Sequence, residues 1–254
     1  MKIFVISLKR SVVRREEISL RLNELGLDFE IFDAVDGSEH QHPLFKHFDQ
    51  ETALWRSGIG INNGELGCFA SHFSLWLQCI EMNEPIIVLE DDAVLPDDFA
   101  SWLPEFSKLI PRYEFLKIGR GLRLRSLWVA GKYITEQQVG ERHIVKYMRH
   151  SECAHAYVLS PTAAKRFVEN GQTWLWPVDD YMEKEHLSKV LQYGLEPPLV
   201  VQRMKDSEIF KTGGTEARSK RNLVMKIRRE YFRYKDRWGC NFVNYCYWLK
   251  AKFN

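Results

Sequence analysis

Residues 90–92 read Glu-Asp-Asp, three consecutive carboxylates directly behind the apolar run Pro85-Ile86-Ile87-Val88-Leu89. A short continuous apolar run of this kind predicts a buried central strand. Carboxylates at a strand end are partly desolvated and repel one another, which disfavours the charged forms. A hard divalent cation relieves that repulsion. Mg²⁺ and Mn²⁺ prefer oxygen ligands and commonly bind one or two carboxylates together with substrate phosphates. The plainer alternative is a solvated loop or helix start, where Asp and Glu suit the helix dipole. Asp97 and Asp98, just after Pro96, fit that plainer reading.

The elements that must hold this triplet follow from the pattern. Lys2–Leu8 reads as a first strand, and Val12, Val13, Ile18, Leu22 and Leu25 recur at helical spacing before Gly26. Phe29–Phe32 reads as a second strand, closing a strand–helix–strand unit before the turn-rich Asp33–Gly37. Gly64–Asn83 predicts a helix with Leu66, Phe69, Phe73, Leu77 and Ile80 on one face. Further on we expect helices over Pro96–Ile110, Pro161–Asn170 and Tyr181–Leu191. Strands are expected over Phe115–Gly119, Ala154–Leu159 and Pro197–Val201, with hairpins or loops over Arg120–Tyr147. Ser160-Pro161 is a strong helix start, a serine cap followed by proline at the first helical position. Strands alternating with helices predict an α/β fold, a mostly parallel sheet with helices on both faces. In such sheets ligands bind at the carboxyl ends of strands, which is where the triplet lies.

With 254 residues, 45 % hydrophobic, the chain suits one α/β domain with an appendage. No apolar run approaches the ~20 residues of a membrane span, and the opening Met1–Ile6 is too short for a signal peptide. Five scattered cysteines form no CxxC pair, which argues against a zinc or disulfide framework and for a reducing, cytoplasmic setting. From Glu216 to Asn254 eleven Lys/Arg stand against three Asp/Glu, a basic tail on a mildly acidic body. The expected division is therefore 1–215 as the catalytic domain and 216–254 as a basic, aromatic helical tail.

Six ordered blocks resemble glycosyltransferase family 25, the lipooligosaccharide glycosyltransferases whose relatives include collagen galactosyltransferases. They are Phe4–Arg10 with Arg14-Arg15, Phe32–Gly37, Gly64–His72 with Trp76 on the next turn, Leu89–Ala93, Ala154–Ser160 and Pro177–Asp180. Together they cover about residues 1 to 185. The chain departs mildly from the family pattern at Lys9-Arg10, where many relatives have Asp-Arg, and at Ala93 and Cys153-Ala154.

The resemblance implies a GT-A-type fold and a UDP-sugar donor, UDP-galactose before UDP-glucose. It also implies a divalent metal, Mn²⁺ or Mg²⁺, and transfer with inversion to an outer-core lipooligosaccharide or lipopolysaccharide acceptor. On it, Asp92 with Asp91 beside it are the expected metal ligands, and Glu90 orients the ribose or the donor sugar. Asp179 or Asp180 is the expected general base, unless the pair only caps a helix. Glu65, Ser71 and His72 gather on one helix, where Ser71 and His72 contact the nucleotide or shape the metal site. Arg10 and Arg14 suit a diphosphate, which arginine grips bidentately. Ile6 and Ser7 offer backbone groups to the base, an expectation that rests on the fold analogy. Trp174, Trp176 and Tyr181 either stack on an acceptor sugar or pack in the core.

For the tail, Leu223, Ile227, Tyr231 and Tyr234 mark an apolar face among eight Lys/Arg from Lys220 to Arg237, with Trp238, Phe242, Tyr245, Trp248 and Phe253 beyond. Two readings stand: a peripheral anchor on the inner face of a membrane, or a solvated helix packed by its aromatic stripe on the catalytic body. Nucleic-acid motifs are absent. The competing functional class is a non-enzymatic basic module that binds anionic lipid or nucleic acid through this tail. A dinucleotide-dependent oxidoreductase is disfavoured, because no GxGxxG follows the first strand.

Overall fold

The computed structural model describes residues 1–39, 41–57, 60–120, 133–148, 153–203 and 223–253. The expected boundary at 215/216, and the basic residues Lys220 and Arg221, lie outside them. Strand β1 (Lys2–Ser7), helix α1 (Val12–Glu24) and strand β2 (Glu30–Asp33) form the opening unit. Helices α2 (Gln50–Ser57) and α3 (Asn63–Met82) precede β3 (Ile86–Glu90) and the short β4 (Ala93–Val94). Next come α4 (Leu103–Tyr113), β5 (Phe115–Lys117), β6 (Gly119–Arg120) and the hairpin of β7 (Tyr133–Val139) with β8 (Arg142–Tyr147). Strand β9 (Ala156–Leu159) leads into α5 (Pro161–Asn170) and two short helices, α6 (Val178–Met182) and α7 (Glu185–Ser188). Strands β10 (Tyr193–Glu196) and β11 (Val200–Gln202) and the long helix α8 (Leu223–Phe253) complete the order.

Eight strands form the main sheet in the order β2-β1-β3-β9-β5-β10-β8-β7, and β4-β11-β6 make a small second sheet. The main sheet is mixed. β1 runs parallel to β2 and β3, and β5 parallel to β10, while the other four pairings are antiparallel. Alternation along the strands splits the core into two layers. Ile3, Val5, Ile87 and Leu89 pack with Ile18 and Leu22 of α1 and Phe106, Leu109 and Ile110 of α4. Phe4, Ile6, Ile86 and Val88 pack on the other face with α3 and α5. Helices therefore cover both faces, as an α/β fold requires.

Helix α3 is the central support of the second layer. Asn62 and Glu65 start it with a reciprocal capping box, and Asn83 ends it in a left-handed conformation. Its residue Trp76 is fully buried and stacks on Phe167 of α5 at 4.8 Å. Removing such a ring leaves a cavity that costs about 3–5 kcal/mol.

Three elements differ from the sequence pattern. A single 3-10 turn, Phe99–Trp102, precedes α4, so the regular helix starts at Leu103 rather than near Pro96. The helix expected over Tyr181–Leu191 is broken into α6 and α7, because Glu183 and Glu185 turn inward to buried lysines. Strand β10 has no counterpart in the pattern. Its four residues are buried on both faces, so no alternation marks it.

Candidate active site

The parallel register brings three carboxyl ends together. Ile6 lies opposite Glu90, and Ser7 lies opposite Asp33. Asp91 and Asp92 continue from β3 over this edge. The resulting cleft is lined by Ile6, Ser7, Arg10, Ser11, Arg14, residues 34–38, Gly64, Cys68, Ser71, Glu90, Asp91, Asp92 and Gln202.

Each carboxylate of the triplet has a distinct setting. Glu90 Oε1 lies 3.2 Å from His72 Nε2, and His72 Nδ1 lies 2.9 Å from the Tyr157 hydroxyl. Trp76 Nε1 donates to that hydroxyl at 3.0 Å. Carboxylate Glu90 can only accept, so Nε2–H donates to it, and in that neutral tautomer Nδ1 accepts the Tyr157 hydroxyl proton. Burial opposes the charge on Glu90, but His72 outweighs it and holds its pKa below the usual carboxylate value. Asp91 Oδ2 accepts the Ser7 hydroxyl at 2.7 Å, and Arg14 Nη1 lies 3.4 Å from Oδ1. Burial nevertheless raises the Asp91 pKa, with Ser7 and Arg14 opposing. Asp92 Oδ2 accepts from the Gln202 amide at 2.9 Å, while its buried Oδ1 has no hydrogen-bond partner among the described residues. Burial and the charge of Glu90 lift Asp92 to about 7.

A divalent metal can be tested against this arrangement. A buried carboxylate oxygen without a donor, beside two further carboxylates, is an oxygen-rich site short of positive charge, which fits a hard cation. The alternative donor set, Cys68, His72 and Glu90, has its atoms within 4.8 Å of one another. It suits a hard cation poorly. Both His72 nitrogens already serve hydrogen bonds, and burial together with Glu90 pushes the Cys68 thiol up, away from thiolate. Asp92 is the better anchor.

The remaining expected residues divide by what they touch. Arg10 pairs with Asp36 at the cleft wall, and Arg14 reaches Asp91. Arg15 instead ties the ends of β1 and β2, donating to Ser7 O and Asp33, each at 2.8 Å. The Ile6 carbonyl accepts the Asp91 N–H, and the Ser7 carbonyl accepts the Ala34 N–H. Those backbone groups therefore hold the fold, and Ser7 serves the site through its hydroxyl. Glu65 is spent on the α3 capping box and does not line the cleft. Ser71 Oγ accepts the Val35 N–H at 2.8 Å and donates to Gly67 O, so it clamps the loop after β2. Buried His72 positions Glu90. His155 is buried with its pKa lowered to about 4, a structural neutral imidazole.

Asp179 and Asp180 occupy the first turn of α6 rather than a loop before it. Asp179 Oδ1 accepts the Asp180 N–H at 2.9 Å. Burial raises the Asp179 pKa, and the charges of Glu183 and Glu90 add to the shift. Exposed Asp180 lines a second cleft, between the α6–α7 segment and α8, with Trp176, Lys184, Arg229 and Arg237. Two buried ion pairs fix this segment. Lys117 on β5 holds Glu183 at 2.9 Å, and Lys146 on β8 holds Glu185 at 2.8 Å. Trp174 and Tyr181 are core residues, with Trp174 stacked on Phe69 at 4.3 Å. Trp176 is half-buried under the cations of Arg56 and Lys184.

Sequence reasoning missed Gln202, Cys68 and the two inward lysines. Gln202 sits in a short strand distant in sequence, and a lysine inside a strand gives no sign of its partner.

Fold and site together define an α/β protein with an acidic, arginine-rimmed cleft at the carboxyl ends of its parallel strands. The chain belongs to glycosyltransferase family 25, described as LPS biosynthesis proteins, whose family model matches residues 1–182. It is 29 % identical over 256 residues to the procollagen lysyl hydroxylase and glycosyltransferase of Acanthamoeba polyphaga mimivirus, covering 87 % of this chain and 27 % of that one. It is 33 % identical over 103 residues to the inactive glycosyltransferase 25 family member 3 of Mus musculus, covering 39 % and 17 %. It is 32 % identical over 103 residues to the lipooligosaccharide biosynthesis protein lic2B of Haemophilus influenzae, covering 40 % and 37 %. The matched stretches thus span well under half the length of these relatives.

Proposed function

We propose that this chain is an inverting, metal-dependent hexosyltransferase. It would move a hexose from a UDP-sugar, galactose before glucose, to the outer core of a lipid-linked lipooligosaccharide or lipopolysaccharide. The observation that carries this reading is Asp92 Oδ1, without a hydrogen-bond partner among the described residues and buried beside Glu90 and Asp91 in a cleft whose wall also holds Arg10 and Arg14. A relative named inactive is about as similar as one named for lipooligosaccharide biosynthesis, so activity has to rest on such residues rather than on similarity.

In this reading Asp92 holds a Mn²⁺ or Mg²⁺ ion, with Asp91 oriented beside it by Ser7. Bound there, the ion offsets charge on the departing diphosphate. Arg14 and Arg10 face the same diphosphate. Glu90, fixed by His72, orients the ribose or the donor sugar. The acceptor hydroxyl oxygen attacks the anomeric carbon, the bond from that carbon to the diphosphate oxygen breaks, and UDP leaves with the electron pair. Asp179 takes the hydroxyl proton, its pKa raised by burial toward the range that suits a general base. Asp180 faces the acceptor cleft beside Trp176.

The test is UDP release from UDP-galactose and UDP-glucose with Mn²⁺, in wild type and Asp92→Ala. Activity lost in the variant supports the reading. Full activity with a chelator present overturns the metal-dependent reading, and no UDP release from either donor favours a non-enzymatic module acting through the tail.

A further inference from the structure

The tail helix is docked inside out. Its inward face is mainly polar, with Phe232 edge-on to Trp55 and Tyr247 against Tyr193 as its aromatic contacts. Asp236 lies 3.3 Å from Arg56 and 3.1 Å from Lys184, Asn244 accepts from Lys146 at 2.9 Å, and Tyr247 donates to Glu136 at 2.6 Å. Gly239 crosses so close to His186 that a Cβ there would lie 2.4 Å from the ring. The outward face carries Ile227, Tyr231, Tyr234, Trp238, Phe242 and Tyr245, all exposed, with Trp238 at 76 % and Phe242 at 67 %. Their spacing of three and four residues keeps them on one side of the helix. A helix packed on a soluble body normally buries this side. The aromatic stripe is thus not what holds α8 to the catalytic body, and a contiguous exposed apolar face of this kind marks an interaction surface.

We infer that this stripe lies on an anionic membrane surface, with α8 parallel to the bilayer. Three observations select lipid as the occupant. The stripe is dominated by Tyr and Trp, whose amphipathic rings suit the headgroup level. Exposed cations flank it, Lys235 on one edge and Arg237 on the other, while Lys226, at the azimuth of Asn244, lies nearer the body. None of these three makes an ion pair among the described residues. Charge of that sign complements an anionic leaflet, each residue adding to the attraction within a Debye length. Finally, α8 runs 31 residues, roughly 46 Å at 1.5 Å per residue, yet no described helix is long and apolar enough to cross a membrane. A long amphipathic helix of that character lies in the interface. The inward side of α8 also walls the cleft that holds Asp180. Docking would therefore set that cleft beside the headgroups, which bears on the acceptor only if the transferase reading holds.

The experiment is flotation of the full chain with phosphatidylcholine vesicles, with and without phosphatidylglycerol, at low and high salt. A double variant, Trp238→Ser with Phe242→Ser, is run beside a charge variant, Lys235→Glu with Arg237→Glu. Both pairs are solvent-exposed, and circular dichroism checks that the variants fold. The expected result is flotation with phosphatidylglycerol vesicles, weakened by salt. The aromatic variant should lower partition by about tenfold or more, given the area two rings would bury. The charge variant should lower it by several-fold. Absence of flotation overturns the inference. So does equal binding to phosphatidylcholine alone, binding indifferent to the aromatic variant, or a dimer in sedimentation that the same substitutions dissolve. The assay uses no donor and no catalysis, so its outcome is separate from that of the transferase reading.

Discussion

The Ser7 hydroxyl donates to Asp91 Oδ2 at 2.7 Å, joining the carboxyl ends of parallel strands β1 and β3. This bond separates the roles of two adjacent carboxylates. Asp91 is oriented by Ser7 and Arg14, and Asp92 keeps a buried oxygen with no partner among the described residues. A charged hydrogen bond of this kind is worth about 1.5–3 kcal/mol. Ser7→Ala should therefore raise the metal concentration for half-maximal UDP release by about tenfold and lower the melting temperature by several degrees. An unchanged metal titration removes Ser7 from the site.

Loop 34–37 reaches the cleft only because α3 carries glycine beneath it. A Cβ on Gly67 would stand 2.4 Å from the Val35 carbonyl oxygen and 2.6 Å from the Gly37 nitrogen. Both neighbours are backbone and cannot rotate away. Gly67→Ala should lower stability by about 1–3 kcal/mol and weaken donor binding by displacing Asp36 and Arg10. Denaturant unfolding and donor titration on the same variant measure the two effects. A variant as stable as wild type contradicts this packing account.

The short helix that bears Asp179 is held by buried charge. Lys117 and Glu183 are both 2 % exposed at their side chains. Removing one partner strands the other, a loss of about 3–5 kcal/mol. Glu183→Leu should lose about that much, and adding Lys117→Met should restore most of it, because replacing a buried pair with apolar groups is often neutral. Unfolding free energies across this double-mutant cycle report the coupling. Additive losses would show that the pair is not coupled.

Docking of α8 should have a pH window. Burial works against the charge on His186, but Asp236 and Cys240 outweigh it and lift its pKa to about 9. Its contribution is fully present below its ordinary value of 6.5 and is lost as pH rises through about 9. Burial likewise opposes the charge on Asp236, yet His186 and Lys184 hold its pKa below the ordinary 3.8. That contribution is present above 3.8 and fades as pH falls through the lowered value. Intrinsic-rate-corrected hydrogen exchange of α8 should therefore accelerate above about pH 9 relative to the neutral range. The acceleration should vanish in His186→Gln, and a profile identical in both proteins contradicts the assignment.

These relationships show how far pattern carries. The run 85–89 is apolar throughout because both faces of β3 are covered, and helix α3 declares itself through caps and periodicity. The acidic triplet was legible because its charges have no local reason to cluster. Glu65 misled, since a capping glutamate and a ligand-binding one look alike until the N–H it accepts is known. The tail was legible only in part. Its stripe is a sound sign of an amphipathic helix, but sequence does not say which side meets the body. Asp236, a lone acid among bases, decides that by gathering Arg56, Lys184 and His186. Lys117 and Lys146 were invisible because their partners lie 66 and 39 residues away.

The most direct measurement is UDP release from UDP-galactose with a Mn²⁺ titration, in wild type and in the isosteric Asp92→Asn. The account predicts saturable Mn²⁺ dependence in wild type. It predicts a loss of about a hundredfold or more in the variant, which keeps the Gln202 contact region and the fold but not the anionic oxygen. Release that is equal in the two proteins, or undiminished by chelator, would contradict it.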